Sequence, residues 1–390
     1  MKNNITIAYI LTFAKNTWFW LGIWVFYYLT FTDYAGIGII ETTLIITMTL
    51  FEIPTGAVAD LLGKKKTLLL AFALEFFGGL IMAFAPSFYY IVLAVFIMCV
   101  GGAFYSGTLD ALVFDSLKTD GKIDRFDKVI SNITSISLIT PAICSIIGGY
   151  LYAANFRLPF ILNAVGYLMG LIATFFLIEP KIDTVKFSFT NYLKQTQQGL
   201  RQLFINSNIT RQTTILLTIG FVTVISSEMV DSFLSFEFGF NDKQMGILWS
   251  IIFVFTAIAS QYTEKLKNFF GSKTSIYLIG GLMGVTYLVS PYVGIVIGGV
   301  SIILRSMSQG VFNNLASIEI NNSTESKYRA TTISTFNMIK NVPYVLTAYF
   351  IGGLADIVSA RVISLYLGMG LLVTLMFFLI STKKTKFLVN

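Results

Sequence analysis

Two carboxylates, Glu228 and Asp231, stand three residues apart in an apolar stretch of this 390-residue chain, a spacing that puts both on one face of an α-helix. They cannot both stay ionised there cheaply, so the pair can take up and release a proton and forms the candidate coupling site. Three cations, Lys15, Arg305 and Lys340, fall near the middles of other apolar stretches. A charge at that depth is expensive and lines a protein interior or a watery cavity. Arg305 or Lys340 is therefore expected as the counter-charge that opposes protonation until substrate or conformation displaces it. The competing reading is a static salt-bridge network that only packs helices. Polar residues extend these positions: Asn16 follows Lys15, Gln309 and Asn313 lie four and eight residues beyond Arg305, and Asn337 and Asn341 flank Lys340.

Other chemistries find no residues. The chain has no histidine, so any proton relay must be built from carboxylates. Cys99 and Cys144 both sit inside apolar stretches, which supports neither a disulfide framework nor a metal site. No nucleophile elbow or phosphate loop is present, so an enzyme, a cofactor and a bound metal are not expected. Trp18, Trp20, Trp24, Tyr27 and Tyr28 have rings that suit a cavity, but lipid or interfacial contact is the favoured reading. Glu41 and Glu75 are divided evenly between packing and function.

The elements that must position these groups are membrane spans. The chain is 55% hydrophobic and only 12% charged, with 36 Phe, more apolar surface than a water-soluble core can hide. Apolar stretches long enough to cross about 30 Å of hydrocarbon form two sets of six. The first runs from a retained span at 5–31 to 157–178, the second from 211–238 to 359–381. Of 27 Lys and Arg, 21 lie in the termini and alternate loops, and only Arg157, Lys243 and Arg361 lie in the opposite loops. That asymmetry puts both ends in the cytoplasm. The net charge of +7 resides in cytoplasmic loops such as 64–66, which suit anionic lipid, so membrane lipids and not nucleic acid are the expected partners. Residues 179–210 read as a cytoplasmic linker with an amphipathic helix, separating bundles at 1–178 and 211–390. The halves also resemble each other: Gly63-Lys64-Lys65 matches Gly271-Ser272-Lys273, and Gly148-Gly149 matches Gly352-Gly353. Six plus six, duplicated, is the plan of an alternating-access carrier.

Gly56-Ala-Val-Ala-Asp60-Leu-Leu-Gly63-Lys64-Lys65, between spans 2 and 3, resembles the loop signature of the major facilitator superfamily, with Leu61 where an arginine is common. The resemblance implies an all-α membrane protein of twelve transmembrane helices in two pseudo-symmetric six-helix bundles. It also implies a gate in which Gly56, Asp60, Gly63, Lys64 and Lys65 work with Asp110 and Asp115. Span 5, with Pro141, Gly148 and Gly149, resembles the bent, close-packing antiporter helix of exporters, although Thr140 replaces the family's glycine. Span 4 lacks the arginine that drug:proton antiporters carry. The family's cavity is lined by helices 1, 4, 7 and 10, to which this sequence brings Lys15, Asn16, Glu228, Asp231, Arg305, Gln309 and Asn313. Asn337, Lys340 and Asn341 add a surface from helix 11. The resemblance thus implies a monomeric, proton-coupled exporter of amphipathic small molecules in a bacterial cell membrane. The alternative is a carrier of an anionic solute or lipid headgroup held by Lys15, Arg305 and Lys340.

Overall fold

In the computed structural model every described regular element is helical, and the first span departs from the sequence reading. Residues 5–31 read as one continuous crossing, yet α1 (Lys2–Lys15) stops partway, residues 16–23 turn, and α2 (Trp24–Leu29) resumes. The chain continues through α3 (Tyr34–Leu62), α4 (Lys64–Ala83), α5 (Phe88–Tyr105), α6 (Thr108–Thr119), α7 (Phe126–Ala154) and α8 (Leu158–Phe175). Next come α9 (Phe189–Leu203), α10 (Ser207–Ile225), a π-turn at Ser226–Val230, α11 (Asp231–Glu237), α12 (Asp242–Gln261) and α13 (Thr263–Phe270). Last are α14 (Ser272–Val289), α15 (Ile295–Ser323), α16 (Arg329–Val358) and α17 (Ala360–Phe387). The structure describes residues 2–180, 189–205, 207–324 and 329–387, and within these the side chains of 2, 52–62, 189, 191–193, 195, 207–208, 329–331 and 382–387 lie outside the description.

Among the described residues eleven helical segments are long and apolar enough to cross a bilayer, the first beginning at Tyr34, so the interrupted α1 and α2 are not among them. Large apolar side chains such as Phe77, Ile139, Phe176, Val296, Phe350 and Val373 stand exposed along the helices. Acyl chains satisfy a surface of that kind.

The chain divides into unit 1, residues 1–189 with 241–250, and unit 2, residues 190–240 with 251–390. These bounds differ from the expected 1–178 and 211–390: most of α9 joins unit 2 and the first part of α12 joins unit 1. Small residues explain the second shift. A Cβ on Gly149 would come within 2.7 Å of the Asp242 carbonyl oxygen, and Ser145 Oγ donates to the Gly246 carbonyl at 3.1 Å. In unit 1, Ile7, Leu11 and Ala14 recur at helical spacing and bury α1 against Leu68 and Phe72 of α4 and Leu109 and Val113 of α6. That packing fixes α1 up to Lys15, where the break begins.

Candidate functional site

The break in α1 delivers Lys15 to a buried acid. Lys15, the last residue of α1, favours the negative end of the helix and pairs with Glu75 of α4. Glu75 is 1% exposed. The ammonium of Lys15 also lies 5.4 Å from the Tyr105 ring centre and 5.8 Å from that of Tyr167. Glycine makes room for the pair: a Cβ on Gly101 would fall 2.8 Å from Glu75 Cγ, and one on Gly102 would face Lys15 Nζ at 3.6 Å. Beside it opens a cavity of about 350 Å³ walled by Trp18, Trp20, Tyr28, Met48, Met98 and Phe160, among others. Three of the rings read as lipid contacts therefore line an interior space, which corrects that expectation. Tyr27, fully buried, donates to the Met82 carbonyl. A second cavity of about 250 Å³ shares Lys15 and Trp18 with the first and adds Asn16 and Asp110.

Close approach of three helices holds the break open. The Phe19 carbonyl oxygen enters α7 at Gly148, where a Cβ would stand 1.7 Å away. Thr17 Oγ1 enters α8 at Gly166, where a Cβ would stand 2.0 Å away, and Gly22 meets Gly246 Cα at 2.8 Å. Asn16 closes the end of α1, its Nδ2 donating to the Thr12 carbonyl at 2.8 Å. Irregular backbone at membrane depth is tolerated where protein buries it or where it lines a cavity, and both hold here.

In unit 2 the two carboxylates part company. The π-turn carries Glu228 and ends where α11 begins at Asp231, so their side chains do not share a face: Glu228 is exposed and Asp231 is buried. Asp231 Oδ1 accepts from Arg305 Nε at 2.7 Å, and Ser226 Oγ donates to Oδ2 at 2.6 Å. Arg305, 1% exposed, also donates from Nη1 to the Thr286 carbonyl at 3.3 Å and Ser290 Oγ at 3.2 Å, and stacks on Tyr287 at 4.6 Å. Arg305 is thus buried in a packed network. Gln309 is half-buried and reaches the Thr223 carbonyl at 3.5 Å, while Asn313 and Asn337 are exposed and Asn341 is half-buried. Lys340 lays its stem against Gly220, whose Cβ would stand 2.8 Å from Cδ. Its charge and that of Glu228 act on each other, yet among the described residues no cation forms an ion pair with Glu228.

At the loop between α3 and α4, Gly63 takes φ +87, a conformation that favours glycine. Its counterpart Gly271 has φ +78, so the repeat extends to backbone geometry. Lys64 pairs with Asp115, and Lys65 Nζ donates to the Phe175 carbonyl at 2.6 Å. Asp110 makes no such pair among the described residues and lines the second cavity instead. The surroundings of Gly56 and the side chain of Asp60 lie outside the description. Sequence reasoning missed Glu179, whose two oxygens accept the Lys64 and Lys65 amides at 2.8 and 2.7 Å and cap α4. A Cβ on Gly63 would stand 3.0 Å from that carboxylate. In span 5, Pro141 is buried within α7.

Comparison with known proteins places this architecture. A family model described as Major Facilitator Superfamily matches residues 5–348. A protein of Bacillus subtilis (strain 168), described as an uncharacterized MFS-type transporter, YxaM, is 27% identical over 285 residues, which is 69% of this chain and 68% of the relative. The crystal structure of the nucleoside transporter NupG superposes with a TM-score of 0.79 at 18% identity, covering 98% of this chain and 99% of that one. A POT family transporter in complex with 5-aminolevulinic acid superposes at 0.72 and 12% identity, covering 98% and 96%. At those identities the two structures establish shared fold alone.

Proposed function

Given that the chain belongs to the major facilitator superfamily, and is therefore a secondary transporter of small molecules, we propose that it expels amphipathic molecules in exchange for protons by alternating access, with Glu228 as the coupling carboxylate. The observation that carries this reading is the division of labour in unit 2. Asp231 is committed to Arg305, whereas Glu228, three residues earlier on a π-turn, is exposed and has no ion-pair partner among the described residues. An acid left open at span depth can exchange protons, and Lys340 supplies a cation whose charge acts on it until the two move apart. π-turns inside α-helices occur frequently at functional sites. Asp231 is reassigned as a positioning residue.

Amphipathic cargo is supported by the aromatic and methionine walls of the unit 1 cavity, since thioethers and ring faces accommodate varied apolar shapes. The anionic-solute reading loses support: Lys15 is neutralised by Glu75 and Arg305 by Asp231, which leaves Lys340 alone. The charge asymmetry supports a membrane protein with both termini cytoplasmic, and the Bacillus subtilis relative supports a bacterial cell membrane. Purified protein in liposomes, given a panel of fluorescent amphipathic cations and anions and an imposed pH gradient, tests the proposal. Gradient-driven accumulation of an amphipathic cation or neutral dye is expected. Flux of every dye indifferent to the gradient refutes proton exchange, and accumulation of anions alone restores the other reading.

A further inference from the structure

We infer that the cavity inside unit 1 is a binding site for an uncharged aromatic molecule that presents N–H donors. The inference narrows what the cavity cited above for amphipathic cargo would hold; it concerns binding within one half of the protein and does not depend on proton exchange.

Three buried polar atoms around this cavity have no protein partner: Glu75 Oε2, Asn163 Oδ1 and Trp20 Nε1. All three residues line the same cavity, Glu75 and Asn163 are 1% and 2% exposed, and the three atoms are themselves closed off, so a ligand meets them as their side chains turn toward it. Unmade hydrogen bonds at such depth are costly, so groups of this kind are rarely left idle in clusters. Two of the three are acceptors and one is a donor, so the complementary ligand offers two donors and one acceptor, as a primary carboxamide does. Charge narrows the class. Lys15 and Glu75 cancel each other, so the cavity carries no net charge, and either a cation or an anion would bring an uncompensated charge among apolar walls. An uncharged donor brings none. Shape narrows it further: Trp18, Tyr28 and Phe160 offer ring faces, and Met48, Met82 and Met98 fill irregular gaps around a flat ligand. Trp18 and Trp20 both come from the turn at 16–23, so the interruption of α1 serves to bring the indole donor and a stacking face to the site.

The test is equilibrium dialysis of tritiated β-naphthamide against the full chain in detergent, with three shape-matched competitors. N,N-dimethyl-β-naphthamide lacks the donors, β-naphthoate is an anion, and β-naphthylmethylammonium is a cation. Saturable binding at one site per chain is expected, with each competitor at least about tenfold weaker than unlabelled β-naphthamide. Trp20→Phe keeps an aromatic ring, loses the donor, and should weaken binding about tenfold. Met98→Trp, which fills the space, should abolish binding while the protein still elutes as a single species. Uptake that never saturates overturns the site. Equal competition by the dimethyl or cationic analogue overturns the ligand class, and unchanged affinity in both folded variants overturns the location. No flux is measured, so failure of proton exchange leaves this site standing, and failure of binding leaves proton exchange standing.

Discussion

Replacing Asp231 with Asn separates a packing role from a coupling role. The carboxylate sits 2.7 Å from Arg305 Nε and 2.6 Å from Nη2, and both side chains are almost wholly buried. In Asp231→Asn the guanidinium keeps only the Thr286 carbonyl, the hydroxyls of Ser290 and Ser301 at 3.2 and 3.5 Å, and the Tyr287 face. Removing one partner of a buried ion pair costs about 3–5 kcal/mol because the other charge is stranded. At about 1.4 kcal/mol per tenfold, that lowers the folded-to-unfolded ratio by roughly 10² to 10⁴. Removing both charges, as in Asp231→Leu with Arg305→Met, strands no ion. It leaves Ser226 and Ser290 short of one hydrogen bond each, a cost of about 1 kcal/mol apiece. Thermal unfolding of the purified proteins in detergent should therefore rank wild type first, the double variant second and Asp231→Asn last. If Asp231→Asn melts with wild type yet no longer responds to a pH gradient, Asp231 is a titrating group and its assignment to packing is wrong.

Three further outcomes follow from the geometry. Glu179→Ala removes the acceptor of two α4 amides and should cost about 1–2 kcal/mol, read as a lowered melting temperature. Gly148→Ala should prevent folding, because its methyl would stand 1.7 Å from the Phe19 carbonyl oxygen, whereas Gly121→Ala, with φ +67 and nothing within 4 Å, should cost only about 1 kcal/mol; detergent-extractable yield compares them. Lys64→Asp and Asp115→Lys should each reduce transport, and the charge-swapped double variant should recover it. Failure of that recovery would show that the pair does not act as a gate.

Hydropathy and charge made most of the architecture legible. The apolar stretches became helices, and Gly63 and Gly271, matched by sequence, share left-handed φ values. What escaped was set by contacts distant in sequence. Residues 16–23 are apolar enough for a hydropathy window to pass over them, and the features that unwind α1 are glycines at 148, 166 and 246. The run Lys15-Asn16-Thr17 with Gly22 was the local signal. Glu75 acquires its meaning only when α4 places it against Lys15, 60 residues away. The i, i+3 argument for Glu228 and Asp231 assumed regular α geometry, and the π-turn changes the register between them. Arg305, Gln309 and Asn313 keep their four-residue spacing on the continuous α15, and along it they pass from buried to half-buried to exposed.

The most direct test compares two fluxes through the same Glu228→Gln protein in liposomes. Exchange of labelled for unlabelled substrate at equal pH needs binding and alternation but no proton, whereas accumulation under a pH gradient needs all three. The account predicts that exchange survives near the wild-type rate while gradient-driven accumulation disappears. Accumulation that persists at the wild-type level would contradict it.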